Sequence, residues 1–420
     1  MREHKPVESF SICKFGGSSV GSPIKMKECA DSMLNTSHCA SLNLSTTRKV
    51  AVISAIGKTT NQLEQIAFMA HSLEAKALEK AQELFQDLFN FHRYFATELT
   101  LDLETPHIKT FFLNLKEEGQ STINEIHKQK NAPLSPFLLA SLCSLGERLS
   151  SFLFSQIHPS FSFFSIETIL KTNPIPSPLE ATPFFVGPQE DMALEIKKKI
   201  ASSQILITQG FIAKDKSGRW NTLGREGSDY TATLLASFLE ANLVEIFTDV
   251  EGIFSADPRI FSWGVFLPEL SYKEATLLAE LGAKVLFSKT LHPVVEKEIP
   301  VWVGTLCPKK HTGTLITNSK QNHFQAEIPL ATVDFLVTKN PISQKITFHQ
   351  GPQFFSQAVS QGEMPYAQLA LKNVKFFNSF SHYKETRIFE NFSLYLNSAE
   401  NIKDLIKILS PSSQAAMLSS

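Results

Sequence analysis

At 420 residues the chain has room for about two or three domains, and 40 basic residues against 41 acidic ones leave a formal net charge of −1. So even a balance gives no reason to expect nucleic acid or an anionic membrane as partner. Its hydrophobic share of 43% and charged share of 19% are those of an ordinary globular protein. Phenylalanine, 34 residues spread along the chain, is the one excess and reads as core filling in place of Leu or Tyr. Five cysteines, widely spaced and with no Cys-x-x-Cys pair, suggest neither a metal knot nor a disulfide framework. The opening "MREHKPVESF" lacks the apolar stretch of a signal peptide, and no run is expected to reach the length of a membrane span. A cytoplasmic, reduced protein is expected.

In chain order, "SFSICKF" reads as a strand, and "SPIKMKECADSMLN" as a helix that starts at Ser22 with Pro23 at its first position. "KVAVISA" is a second strand, apolar nearly throughout, of the kind buried on both faces. A mostly helical region follows from Asn61 to His158, broken near "LETP" and "NAPLSP". Next come the strand "SFSFFSIET", the helix "GPQEDMALEIKKKIASS", the strand "QILITQGFIA", the helix "SDYTATLLASFLEAN" and the strand "LVEIFTDV". A helix around "SYKEATLLAELGAKVL" and a strand "IPVWVGT" close the series. Alternation of this kind predicts a largely parallel sheet with helices on both faces. A domain boundary is expected near Ser319. Beyond it "AEIPLATVDFLVTKN" and "QKITFHQ" read as strands without phosphate-type loops.

Ligands of an open parallel sheet bind beyond the carboxyl ends of its strands. Gly16 and Gly17 follow such an end, where backbone N–H groups can approach phosphate oxygens, and Lys14 at the strand end can meet transferring charge. Taken alone, the Gly-Gly step is equally a tight turn. "SAIGKTTNQ" ends like a Walker A loop, but Val52 stands where the first glycine belongs, so the P-loop reading fails. Thr59 or Thr60 either caps the next helix or touches a polar substrate. Glu147 and Arg148 in "SLGERLSS" read by default as a solvated helix face. In "NTLGREGSDYTATLLA", Arg225 sits between Gly224 and Gly227, suited to bidentate capture of a carboxylate, with Ser228 and Asp229 opening a helix as caps. "IFTDVEGIFSADPRI" sets Thr248 and Asp249 at a strand end, before a loop that lines a nucleotide or only makes two turns. Lys284 in "LGAKVLFSKTLHP" is a second candidate cation.

Together "KFGGSSVG", "SLGERLSS", "TQGFIA", "TLGREGSDYTATLLA", "FTDVEGIFSADPRI" and "ELGAKVL" resemble, in order and spacing, the motif series of aspartate kinases in the amino-acid kinase superfamily. The resemblance runs over about residues 10 to 317. It implies an α/β fold, a three-layer αβα sandwich around an open, mainly parallel, eight-stranded sheet. A catalytic domain of residues 1–319 would then be followed by a small α+β, ACT-like regulatory domain at 320–420. It also implies transfer of the γ-phosphoryl of MgATP to the side-chain carboxylate of L-aspartate. Lys14 would act in the transition state, with Asp229 orienting it. Thr60, Glu147, Arg225 and Ser228 would hold the substrate, Glu147 at its α-amino group and Arg225 at its carboxylate. Lys14, Phe15, Gly16, Gly17, Thr248, Asp249, Phe254, Arg259, Lys284 and Val285 would line the nucleotide, with Lys284 counted among the catalytic residues as well. Mg²⁺ would be held mainly through the phosphates, with no protein metal site. Lysine as feedback ligand and a homodimer follow from the same likeness. Three positions depart from the family pattern: Phe254 stands where Tyr is usual, Glu226 where a small residue is common, and "AKVLFS" where "AKVLHP" is expected. Two other readings are a different carboxylate or carbamate kinase of the superfamily and a catalytically silent amino-acid sensor. The zwitterion-suited pair Glu147 and Arg225 argues against the first, and retention of Lys14 and Lys284 against the second.

Overall fold

The computed structural model describes residues 9–39, 44–185, 189–202, 204–254, 266–280, 288–306, 313–318, 330–339, 346–350, 367–377, 387–389 and 392–396. Two compact units make up the chain, one of Met1–Glu251 and Lys289–Lys309, the other of Gly252–Ser288 and Lys310–Ser420. The elements run β1 (Phe10–Phe15), α1 (Pro23–Ser32), β2 (Thr36–Cys39), β3 (Leu44–Ile53), α2 (Thr59–His71), α3 (Ala77–Glu98), α4 (Pro106–Lys128) and α5 (Pro136–Ser155). They continue with β4 (Phe161–Phe163), β5 (Leu170–Asn173), β6 (Thr182–Phe185), α6 (Gln189–Ala201), β7 (Ile205–Gln209), β8 (Ile212–Asp215), β9 (Trp220–Thr222), α7 (Gly227–Leu239) and β10 (Leu243–Phe247). Then follow β11 (Ile253–Phe254), β12 (Phe266–Leu267), β13 (Glu269–Ser271), α8 (Tyr272–Glu280), α9 (Ser288–Val295), β14 (Val301–Gly304) and β15 (Thr314–Thr317). The last five are β16 (Leu330–Lys339), β17 (Ile346–Gln350), β18 (Ala367–Phe377), β19 (Arg387–Phe389) and β20 (Phe392–Leu396).

In the first unit six strands lie in the order β14, β10, β1, β3, β7, β4, every neighbouring pair parallel. This is the parallel sheet that the strand–helix alternation predicts, and β2 adds an antiparallel ribbon on the start of β3. Parallel pairing has a functional consequence: Phe15, Ile53, Gln209 and Phe247, the last residues of their strands, all end on one edge of the sheet. Side chains alternate across a strand. Cys13 and Phe15 of β1 therefore enter the core beside α5, while Lys14 between them points to the opposite face, where α7 packs. Part of the phenylalanine excess forms a stacked row under the sheet. Phe247, Phe15, Phe154 and Phe161 follow one another at centroid separations of 5.0, 5.8 and 5.7 Å, with no ring pair tilted by more than 24°.

Local signals explain several boundaries. Ser22 accepts a hydrogen bond from Lys25 N–H, and Pro23 opens α1, as the sequence predicts. Pro106 and Pro136 likewise open α4 and α5. Other boundaries differ from expectation. The single strand expected at "QILITQGFIA" is two, because Phe211 takes a left-handed φ of 67° and turns β8 out of the main sheet. There β8 joins a second sheet ordered β6, β5, β8, β9. The "SFSFFSIET" strand ends at Phe163, and Gln209 Oε1 instead accepts the Ile166 N–H of a short 3₁₀ turn. Against expectation, α5 is long and apolar enough to span a membrane by length and composition. Most of it is buried in the fold, packed on α2, α4 and the sheet, so it is a core helix.

In the second unit β11 pairs antiparallel with β12, and β13 parallel with β15. A further antiparallel sheet runs β17, β16, β18, β19, with β20 also on β18.

Candidate active site

The shared strand edge forces four turns together: residues 16–21, 54–58, 210–211 and 248–251. The first two interlock. Gly57 N–H donates to Gly17 O, and Ser54 N–H to Phe15 O. A Cβ on Gly17 would lie 2.7 Å from Gly57 O and 2.8 Å from Ala55 O, so close approach of two backbones demands glycine there. Gly16 N–H is spent on Phe247 O at 3.4 Å, whereas among the described residues the N–H groups of Gly17 and Ser18 have no acceptor. These amides, rather than that of Gly16, are available to an anion. The side chain of Phe15 is withdrawn into the core, which leaves its backbone for the loop.

Lys14 and Asp229 are the electrostatic centre. Both are buried, at 8% and 2% exposure, and Lys14 Nζ lies 2.6 Å from Asp229 Oδ1. That oxygen makes no aligned hydrogen bond, so the contact is an ion pair held by charge. A β-carbon at Gly16 would come within 3.2 Å of the same Nζ. Asp229 is in the first turn of α7, where backbone N–H groups favour a carboxylate. The helix begins at Gly227 after Glu226, so Ser228 and Asp229, expected as caps, lie inside the first turn instead. The reason is local: Gly224 and Glu226 take φ of 80° and 53°, and these left-handed steps bring the chain into the helix.

A cavity of 640 Å³ opens beside the pair, lined by Lys14, Gly17, Thr60, Glu147, Arg225 and Ser228 among others. All six belong to the constellation expected from sequence. The default reading of Glu147 and Arg148 as a solvated face is corrected, because the two diverge. Arg148 turns outward, bonding Glu118 at 2.7 and 2.8 Å with its guanidinium 4.8 Å over the Trp220 ring. Glu147 turns inward and is only 3% exposed. Its Oε1 accepts from Ala55 N–H and Thr60 Oγ at 3.4 Å each, while Oε2 is buried without a partner. Burial pushes its carboxyl up to about 8, against the opposing pull of these hydrogen bonds. Neither Thr59 nor Thr60 caps α2. Lys58 is the cap residue, without a side-chain bond, and Thr59 Oγ donates to Ile56 O at 2.7 Å. Arg225 is exposed on its turn, free to meet a carboxylate.

Thr248 and Asp249 follow β10, with Thr248 N–H bonded to Gly304 O at 2.8 Å and its hydroxyl to Asp249 at 3.2 Å. Phe254 belongs to the second unit, in β11, its ring edge-on to Phe266 at 5.6 Å. Arg259, Lys284 and Val285 lie outside the described residues. Among the described residues no three His, Cys, Asp or Glu side chains converge on a cation position. Asn61, Glu64, Cys143 and Glu180 are among the lining residues that were not singled out in the sequence. Helical spacing was the available signal, since Glu64 follows Thr60, and Cys143 precedes Glu147, by one turn.

The amino acid kinase family model matches residues 9–305. Lysine-sensitive aspartokinase 3 of Escherichia coli (strain K12) is 33% identical over 318 residues, 74% of this chain and 65% of that protein. Aspartokinase 1, chloroplastic, of Arabidopsis thaliana is 31% identical over 322 residues, 74% of this chain and 52% of its own length. The match thus spans between half and two thirds of these relatives. The crystal structure of E. coli aspartokinase III in complex with aspartate and ADP is similar at a TM-score of 0.60 and 28% identity, covering 84% of this chain and 73% of that one. The same enzyme in complex with lysine and aspartate gives a TM-score of 0.63 at 27% identity, over 91% and 85% of the two chains. The parallel sheet, its glycine turn and the cavity they frame all fall inside the matched segment, and this chain belongs to the amino acid kinase family.

Proposed function

We propose that the protein is an aspartate kinase, transferring the γ-phosphoryl of ATP to the side-chain carboxylate of L-aspartate to give 4-phospho-L-aspartate. One observation carries the reading. Lys14 of the buried Lys14–Asp229 pair and Gly17 of the glycine loop share a cavity with Glu147, a carboxyl with one oxygen unpartnered, and with an exposed arginine, Arg225. Those ends suit a zwitterion whose third group is presented to phosphate.

The attacking carboxylate is already ionised at neutral pH, so the step needs no general base. It needs positioning and charge. Glu147 and Thr60 hold the α-ammonium, and Arg225 holds the α-carboxylate through its planar fork. Lys14, kept in place by Asp229, meets the negative charge that spreads over the non-bridging oxygens, with the N–H groups of Gly17 and Ser18 beside it. Thr248, Asp249, Phe254, Arg259, Lys284 and Val285 are assigned to the nucleotide by resemblance, with Lys284 as a second catalytic cation. Mg²⁺ fits as an ion carried in on the phosphates, whose charge it neutralises.

Residues 320–420 are assigned to an ACT-like regulatory domain after a catalytic domain of 1–319. Lysine is its candidate ligand, since the E. coli relative is lysine-sensitive by name. A homodimer is expected, checked by sedimentation of the whole chain against one truncated near Ser319. Cys13 and Cys143, buried and outside any disulfide, suit a reducing, cytoplasmic setting.

The test is ADP release from MgATP with L-aspartate or L-glutamate, with hydroxylamine to trap the acyl phosphate, with and without millimolar lysine. Aspartate-dependent hydroxamate is expected. No turnover with either amino acid refutes the kinase reading.

A further inference from the structure

Two helices meet at one corner of the cavity. On α2, Thr60 and Glu64 stand one turn apart and line the same space. On α5, Cys143 and Glu147 do the same, and the Thr60 hydroxyl bonded to Glu147 ties the two faces together. Glu64 and Glu147 both act on the Cys143 thiol, which burial first and then these two carboxylates hold far above the usual thiol range. The corner therefore presents two carboxyl groups, and a cation seated there favours the ionised form of Glu147. Glu147 Oε2 is buried and unpartnered, and among the described residues Glu64 makes no ion pair. The cavity's cations belong to other elements: Lys14 of β1 is paired with Asp229, and Arg225 lies on the turn before α7. The other lining acids also stand apart, Glu180 against Gly224 and Glu226 near Lys14 and Asp229.

Two acids with no cation between them form a seat for a group that carries positive charge and several N–H donors. A primary ammonium has three donors, enough for Thr60, Glu147 Oε2 and Glu64 together. We propose that Glu64 is a specificity-determining residue which, with Glu147, forms a two-carboxylate seat for the substrate's α-ammonium, so that the site admits amino acids and rejects dicarboxylates lacking the amino group. The inference rests on the aspartate kinase reading and deepens it. Succinate matches aspartate in both carboxylates but places a methylene in the acidic corner, where it leaves Glu147 Oε2 unpaired and gains nothing from Glu64.

The experiment compares wild type with Glu64→Gln in the hydroxamate assay, reading KM and kcat for L-aspartate and the competitive KI of succinate. Glu64 is exposed to the open cavity, so the isosteric change leaves the fold unburdened. KM for aspartate is expected to rise about three- to fivefold, in the range of an exposed charge pair, with the loss carried in KM rather than kcat. The succinate KI stays level or falls, so the preference for aspartate shrinks by at least the same factor. Glu64→Asp restores part of the difference, and added salt weakens aspartate binding more in wild type than in the Gln variant. An equal change for both ligands, an unmoved KM, or a KM change that follows Mg²⁺ instead of the amino group overturns the proposal while the kinase reading stands. Absence of hydroxamate from the wild type removes both.

Discussion

Glu147→Gln tests the balance between stability and binding at this site. In the folded chain the Glu147 carboxyl is raised by burial from an ordinary 4.5 to about 8, whereas in the unfolded chain it returns to the ordinary value. Between those pH values the folded state keeps a proton that the unfolded state has released, so Glu147 erodes stability as pH rises. Its contribution is fully present below about pH 4.5 and lost by about pH 8. At about 1.4 kcal/mol per pH unit the whole window is worth on the order of 5 kcal/mol, and about 3 kcal/mol has gone by pH 7. Glutamine has the same shape and never ionises, so the variant lacks this slope. We expect Glu147→Gln to differ little from wild type near pH 5 and to be more stable by several kcal/mol at pH 8, with every other titrating group common to both proteins. Denaturant unfolding at half-unit pH steps, without substrate, reads the difference directly. The same variant should lose aspartate binding by at least about thirtyfold at pH 8 and above, where Glu147 is ionised and the change removes a buried charged partner of the ammonium. A stability difference that stays flat from pH 5 to 8 refutes the burial argument, and a Gln variant less stable at pH 8 reverses it.

Other perturbations follow from the same geometry. Lys14→Ala should lower kcat by about two to three orders of magnitude while aspartate affinity, measured calorimetrically, is largely kept; a silent amino-acid sensor would show no such turnover to lose. Removing Lys14 also leaves Asp229 buried and unpaired, so Lys14→Ala/Asp229→Asn should recover stability, by thermal unfolding, but not activity. Gly17→Ala drives a methyl group onto two backbone carbonyls at 2.7 and 2.8 Å, and should cost about 1–3 kcal/mol of stability as well as most activity. Arg48 binds the buried Glu245 through Nε and Nη2, at 3.2 and 2.9 Å, in the interior of the sheet. Arg48→Met should therefore destabilise the fold by about 3–5 kcal/mol without a change in aspartate KM, and Arg48→Met/Glu245→Leu should restore part of it.

How much of this was legible beforehand varies by residue. Alternating apolar runs announced the parallel sheet, Ser22 and Pro23 marked a helix start, and the breaks read at "LETP" and "NAPLSP" coincide with the prolines that open α4 and α5, because capping chemistry and strand periodicity act over a few neighbours. Lys14, Gly17, Thr60, Glu147, Arg225 and Ser228 were assigned in sequence and share one cavity. Other features depended on distant partners. The turn at Gly210 and Phe211 that splits β7 from β8 reads as uninterrupted strand, since it is fixed by the packing of Ser228 against Gly210 and by the Thr231 hydroxyl that accepts Phe211 N–H. Gly16 and Gly17 look equivalent in sequence, yet one amide is bonded to β10 and the other has no acceptor among the described residues.

The sequence by itself determined most of the elements, the largely parallel pairing of the sheet and the choice of candidate residues for phosphate and a zwitterion, because those depend on side-chain type and short-range spacing. Only the tertiary structure decided which way Glu147 and Arg148 divide, that Glu147 loses water and rises to about 8, and that Glu64 faces the same corner. Desolvation and charge proximity are properties of packing between helices far apart in the chain, and no local pattern encodes them.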